Sequence, residues 1–152
     1  MQLSRTTPMS DAILDANALI ATFLPQHVHN RRCRPFVEAL DRFYTTPVTQ
    51  GAFLRFLTRP WKNEQQASQP PLMGPSAAMI LLRCIETCKA HAFLPDDLPF
   101  SAVSMISLSG HRQWTDAYLM ALARKHRLKL ATLEKKLDHM DDPKDPVLWK
   151  VP

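Results

Sequence analysis

Three carboxylates stand where chemistry can use them: Asp15, which ends the apolar run Ala12-Ile13-Leu14; Asp116, at the start of a predicted helix; and Glu134, just after the apolar stretch Leu128 to Thr132. Gathered carboxylates repel one another and resist leaving water, so a protein that collects them usually neutralises them with a hard divalent cation. Oxygen-only ligands suit Mg2+ or Mn2+, which keep several waters and can activate one of them against a phosphodiester while offsetting the charge that develops. Each acid also has a plainer reading. An acid in a helix's first turn is stabilised by the macrodipole whether or not it ligates, so both readings stay open for Asp116. Glu134, followed by Lys135 and Lys136, reads equally well as a solvated surface residue. Asp15 differs, because an acid that closes a buried strand is seldom there for packing.

Positioning these acids is the work of the surrounding elements. Ala12-Ile13-Leu14 reads as a buried strand delivering Asp15 to its carboxyl end, and Ala16 to Leu24 continues as a helix until Pro25. A second helix is predicted from Asn30 to Arg42, with Phe36, Val37, Leu40 and Phe43 at helical spacing behind an Asn cap and Pro35 near its start. Tyr44-Thr45-Thr46 is β-prone and stops at Pro47, after which Thr49 is the expected cap of a helix carrying Phe53, Leu54, Phe56 and Leu57. Residues Arg59 to Pro75 hold four prolines and little apolar content, the composition of a surface loop. A helix follows from Ser76 to His91 with Leu81, Cys84, Ile85 and Cys88 in one stripe, then a short strand at Phe93-Leu94-Pro95. Thr115 is the predicted cap of a helix through His126 that buries Tyr118, Leu119, Leu122 and Ala123, and Leu128 to Thr132 is a strand. The tail from Asp138 to Pro146 reads as a loop before an extended Val147-Leu148-Trp149. Strands alternating with helices predict a mainly parallel sheet covered on both sides, a three-layer α/β/α sandwich, and such sheets bind ligands at the carboxyl ends of their strands.

At 152 residues the chain is the length of one domain, and residues 1–152 are expected to form a single unit. Thirteen prolines against three glycines leave no glycine-rich phosphate cradle, which disfavours a P-loop or a dinucleotide-binding turn. A net charge of +5 and a pI near 9.4 favour acidic partners, nucleic acid first among them. Cys84 and Cys88, four apart, are expected on the apolar face of their helix as small buried hydrophobes in a reducing compartment. Met1 to Ser10 lacks a signal-peptide core and no apolar run reaches the roughly 18 residues of a membrane span, so no membrane partner and a cytoplasmic location are expected. His27, His29, His111 and Cys33 have no second ligand pair at zinc-finger spacing and read as surface or structural residues. Asn17 stands where a haloacid-dehalogenase motif needs its second aspartate, which weakens that option. Arg55 and Arg112 are candidates to touch phosphates or brace the acids, and equally plain surface arginines.

The motifs also carry a family resemblance. Ile13-Leu14-Asp15-Ala16-Asn17-Ala18-Leu19-Ile20-Ala21 resembles the opening motif of PIN domains, and Gly110-His111-Arg112-Gln113-Trp114-Thr115-Asp116-Ala117-Tyr118-Leu119, followed by Leu130-Ala131-Thr132-Leu133-Glu134, resembles their closing half. Thr46-Pro47-Val48-Thr49-Gln50-Gly51-Ala52-Phe53-Leu54-Arg55 and Phe93-Leu94-Pro95-Asp96-Asp97 are similar to intervening motifs of the VapC-type subgroup. The resemblance implies a PIN fold and a Mg2+- or Mn2+-dependent endoribonuclease acting on RNA, the toxin of a bacterial VapBC pair held by a small antitoxin protein and assembled as a homodimer. It further implies that Asp15, Asp116 and Glu134 are catalytic metal ligands, with Asn17, Gln50 and Thr132 in support. Many members carry Glu where this chain has Gln50, and Asp where it has Glu134. Gln50 brings hydrogen bonds but no charge. A non-catalytic PIN-like module that binds RNA or a protein through a weakened metal site is therefore the competing expectation.

Overall fold

The computed structural model describes residues 11–105 and 108–152; the Met1 to Ser10 segment lies outside them. Five strands form one sheet: β1 (Ala12–Leu14), β2 (Phe43–Thr45), β5 (His91–Phe93), β6 (Lys129–Thr132) and β7 (Leu148–Lys150). Their order is β5-β2-β1-β6-β7 and each neighbouring pair is parallel, with Ala12 opposite Phe43 on one side and Lys129 on the other. A parallel sheet needs crossovers, and the helices supply them: α1 (Ala16–Phe23), α2 (Asn30–Glu38), α3 (Pro47–Thr58), α4 (Pro75–Glu86) and α5 (Trp114–His126).

Side chains of successive strand residues point to opposite faces, so a central strand covered on both sides must be apolar at every position. β1 meets that demand. Ala12 and Leu14 join a core with Leu19 of α1, Phe36 of α2, Phe53 of α3 and Ile85 of α4, whereas Ile13 joins a second core with Tyr118, Leu119 and Leu122 of α5. Leu130 and Ala131 of β6 divide between the same two cores. These are the two outer layers of the sandwich, helices on either face of the sheet.

Several boundaries differ from the sequence reading, each for a local reason. α2 stops at Glu38 instead of Arg42, and Leu40 is buried after it. Asn30 is not its cap: the Asn30 amide donates to the Ala21 and Thr22 carbonyls at 2.9 and 3.0 Å, satisfying the end of α1. α3 begins three residues earlier than a Thr49 cap would place it, because Thr46 caps it and Thr49 reciprocates in a capping box. The loop from Arg59 to Pro75 contains a small antiparallel hairpin, β3 (Trp61–Lys62) with β4 (Ser68–Gln69), closed by Asn63 Oδ1 accepting from the backbone N–H groups of Gln65 and Ala67. α4 buries Ala78, Leu82 and Ile85, a stripe that turns Cys84 outward; Cys84 is exposed and Cys88 half-buried, so neither is the buried hydrophobe expected. α5 starts at Trp114, and Thr115 makes no capping bond. Among the described residues no helix is long and apolar enough to cross a membrane.

Candidate active site

Asp15 leaves the sheet at the carboxyl end of β1, where its backbone N–H still reaches the Ala131 carbonyl of β6 at 3.0 Å. The same residue caps α1, with Oδ1 accepting from the Ala18 N–H at 2.7 Å. Strand end and helix start thus fix one carboxyl from both sides. It is 4% exposed, and burial raises its pKa to about 6, with repulsion from Asp116 and Glu134 adding to the rise and hydrogen bonds from Thr132 and Ala18 opposing it.

Asp116 comes from another layer, in the first turn of α5. It is half-buried, and its pKa is raised first by desolvation and then by Glu134. Asp15 and Asp116 face one small cavity of about 60 Å³, walled by Ala16 and Asn17 of α1, Val48, Thr49 and Ala52 of α3, and Thr115 and Leu119 of α5. The first turns of α1, α3 and α5 therefore border it, and two of these starts are tied down by their caps, the Ala18 N–H donating to Asp15 and the Thr49 N–H to Thr46. Thr132 closes β6 beneath the cavity: its hydroxyl bonds to the Asp15 carboxyl and accepts the Glu134 N–H at 2.9 Å. Glu134 stands beyond the cavity walls within electrostatic reach of both aspartates, and its Oε1 accepts from the Lys136 N–H at 3.0 Å.

Among the described residues, no three His, Cys, Asp or Glu side chains stand close enough to hold a metal ion unaided. What does converge is a pair of carboxylates with a third across the gap. That donor set is all oxygen, and Mg2+ is commonly held by one or two carboxylates while it keeps several waters. Burial and mutual repulsion, the causes of both raised pKa values, are what a cation between the carboxylates relieves.

Gln50 sits elsewhere. Its amide donates to Thr45 Oγ1 at 3.0 Å and Glu86 Oε1 at 3.1 Å, in a polar chain that continues from Thr45 to His91 Nε2 at 2.7 Å. Residues from α3 that do wall the cavity, Val48, Thr49 and Ala52, carry no carboxylate. The sequence marked Thr49 as a helix cap but gave none of the three a place at the site, since small and apolar residues carry no catalytic signal. Arg55 lies back along α3, where its Nη1 would be 3.3 Å from a Cβ built on Gly51. Arg112 is exposed in a single 3-10 turn, His111–Gln113, immediately before α5. Cys33 is fully buried in the core, and the His27 ring accepts from the His29 N–H at 3.1 Å, structural placements both.

The comparisons with known proteins agree with this arrangement. The PIN domain family matches residues 12–143. Ribonuclease VapC29 of Mycobacterium tuberculosis is 40% identical over 129 residues, which cover 84% of this chain and 89% of that protein. Ribonuclease VapC38 of the same organism is 32% identical over 125 residues, 81% of this chain and 84% of its own. Among solved structures, VapBC2 from Rickettsia felis bound to a DNA fragment from its promoter superimposes with a TM-score of 0.63 at 10% identity, covering 95% of this chain and 100% of that one. Mycobacterium tuberculosis VapC20, titled a Sarcin-Ricin loop cleaving toxin, does so with a TM-score of 0.56 at 12% identity over 85% of this chain and 92% of its own. With a parallel sheet, two acids meeting where strand ends and helix starts converge, and sequence identity of this extent, the chain belongs to the PIN domain family.

Proposed function

We propose that this protein is a divalent-cation-dependent endoribonuclease, the toxin of a toxin–antitoxin pair, which hydrolyses RNA at the cleft between Asp15 and Asp116. The observation that carries the reading is the meeting of these two carboxyls, one buried and one half-buried, in a single cavity at the carboxyl end of the sheet. Its relatives' names, Ribonuclease VapC29 and Ribonuclease VapC38, supply the substrate class. The antitoxin is carried over from neighbours titled as VapBC and toxin–antitoxin complexes.

Asp15 and Asp116 would hold the ion, and Glu134 would add negative charge from across the gap. Bound Mg2+ or Mn2+ supplies a water of lowered pKa as nucleophile and a counter-charge for the phosphate oxygens. Thr132 holds Asp15 in one orientation by hydrogen bonding to its carboxyl. Asn17, exposed at the cavity wall, is placed to hydrogen-bond a water or a phosphate oxygen. Gln50 acts at a distance in this reading, tying α3 to α4 through Glu86 and so fixing the wall that Val48, Thr49 and Ala52 provide.

Purified protein incubated with total RNA tests this. Cleavage is expected with Mg2+ or Mn2+ and is expected to disappear with a chelator and in Asp116→Asn; cleavage that survives both would overturn the metal-site assignment. We carry one catalytic unit spanning residues 1–152 and a homodimer in the same reading. Light scattering behind size-exclusion chromatography tests the latter, a monomer overturning it.

A further inference from the structure

We infer that a second cavity, at the amino end of the sheet, binds a small aromatic monoanion of the aryl carboxylate class, at a site separate from the Asp15 and Asp116 cleft and independent of the ribonuclease reading. Its volume is about 440 Å³, within the range of small-molecule sites, against about 60 Å³ for the cleft. The end of α1 (Phe23, Pro25), α2 (Val37), the first residue of β2 (Phe43) and the residues before β5 (Cys88, Ala90) wall it. None of them borders the cleft, which lies at the opposite, carboxyl end of β1.

The walls are apolar and held in place. Phe23 and Phe43 lie 5.7 Å apart between ring centroids, tilted by 43°, and His91 meets Phe43 edge-on at 5.4 Å. Val37 and Phe43 belong to the buried core beneath α1 and α2. Polar groups nearest the interior are already spent: the Thr22 hydroxyl donates to the Ala18 carbonyl at 2.7 Å, and the Asn30 amide takes the Ala21 and Thr22 carbonyls at the end of α1. Carbonyls left open there would have favoured a cation. A rigid planar body in such a space releases water from apolar surface and loses little freedom of its own.

Charge selects the head group. Two cations and one acid, Arg34, Lys89 and Glu38, complete the lining and give it a net charge of +1. Arg34 is held by Glu38, Nε to Oε1 at 2.9 Å. Lys89 is exposed and has no hydrogen bond or ion pair among the described residues. An ammonium left unpaired beside an apolar wall attracts a carboxylate and repels a second cation. One free ammonium matches one anionic group, and two phenyl rings offer an aromatic body the offset and edge contacts that such rings prefer.

The thiol in the wall reports occupancy. In the full chain carrying Cys84→Ser, Cys33 is fully buried and half-buried Cys88 is the thiol left for a reagent. Titration calorimetry at low salt is expected to show saturable binding of naphthoate, and naphthoate at ten times its Kd to slow iodoacetamide alkylation of Cys88 by about tenfold. Naphthylmethanol, the same body without the charge, is expected to bind roughly 1.5- to 5-fold more weakly, the range for one exposed charge contact. Adding Lys89→Ala should weaken naphthoate by the same factor and leave naphthylmethanol unchanged. Ala90→Phe, which fills the space from its wall, is expected to abolish both binding and protection. Naphthoate that does not bind, or that binds without protecting Cys88, overturns the site. Equal affinity for naphthoate and naphthylmethanol, or no loss in Lys89→Ala, overturns the anion assignment. RNA cleavage is read at no step, so either result leaves the ribonuclease reading where it stands.

Discussion

Desolvation holds the Asp15 carboxyl at about 6, whereas the proposed cation site requires it ionised, and this conflict sets the behaviour of the metal-free protein. The folded value lies above the unfolded 3.8, so folding favours the protonated form. Stability from this group is therefore complete below about pH 3.8 and is lost as pH rises through about 6, a change of about 3 kcal/mol. Asp15→Asn removes the charge but keeps an acceptor for the Ala18 N–H. Thermal melts in chelator should show the variant above the parent at neutral pH and level with it near pH 4, while RNA cleavage falls at least about a hundredfold. An Asp15→Asn protein that melts below its parent at neutral pH would contradict the burial argument. In the proposed site protons and the cation compete for the same oxygens, so calorimetric Mn2+ affinity of the parent should weaken as pH drops through about 6.

The α3 helix shows how an element without a catalytic side chain shapes the site. Its start is bound three ways: Thr46 Oγ1 accepts the Thr49 N–H, Thr49 Oγ1 accepts the Thr46 N–H, and Asp96 accepts from the Thr46 hydroxyl and the Val48 N–H. Thr46→Ala removes two of these contacts, and urea denaturation should register a loss of about 1–2 kcal/mol. Because Val48, Thr49 and Ala52 wall the cavity, the variant should also cleave more slowly at saturating substrate. Sequence signals located α3 but misplaced its first residue, since Thr46 and Thr49 are both good caps and only the fold brings Asp96 to Thr46. β1 is the opposite case, legible because a strand buried on both faces has no room for a polar residue. Ile13→Ala should cost about 2–5 kcal/mol in the same assay, by opening a void between β1 and α5.

Over the whole molecule the formal charge of +5 gives RNA association a long-range component, and acids confined to a cleft do not cancel it. Affinity for single-stranded RNA should fall linearly with salt on logarithmic axes, with a slope of about −0.7 for each phosphate contacted. Arg112→Ala should flatten that slope by about 0.7, and an unchanged slope would place Arg112 away from the phosphates.

The sequence by itself determined the layer architecture and the acids. Apolar periodicity is local, and strands alternating with helices have few parallel arrangements available, so Asp15 at a strand end and Asp116 at a helix start were legible as they stand. Tertiary structure alone decided which groups share a cavity. Asp15 and Asp116 are a hundred residues apart and meet only because β1 lies beside β6 and α5 packs over both. Gln50, one residue from the cavity wall, is drawn instead to Thr45 and Glu86 on the far side of the helix turn. The second cavity carried no motif, because its walls come from residues as far apart as Thr22 and Ala90. Contacts of this kind depend on where three-dimensional packing leaves each side chain, which residue type and spacing do not encode.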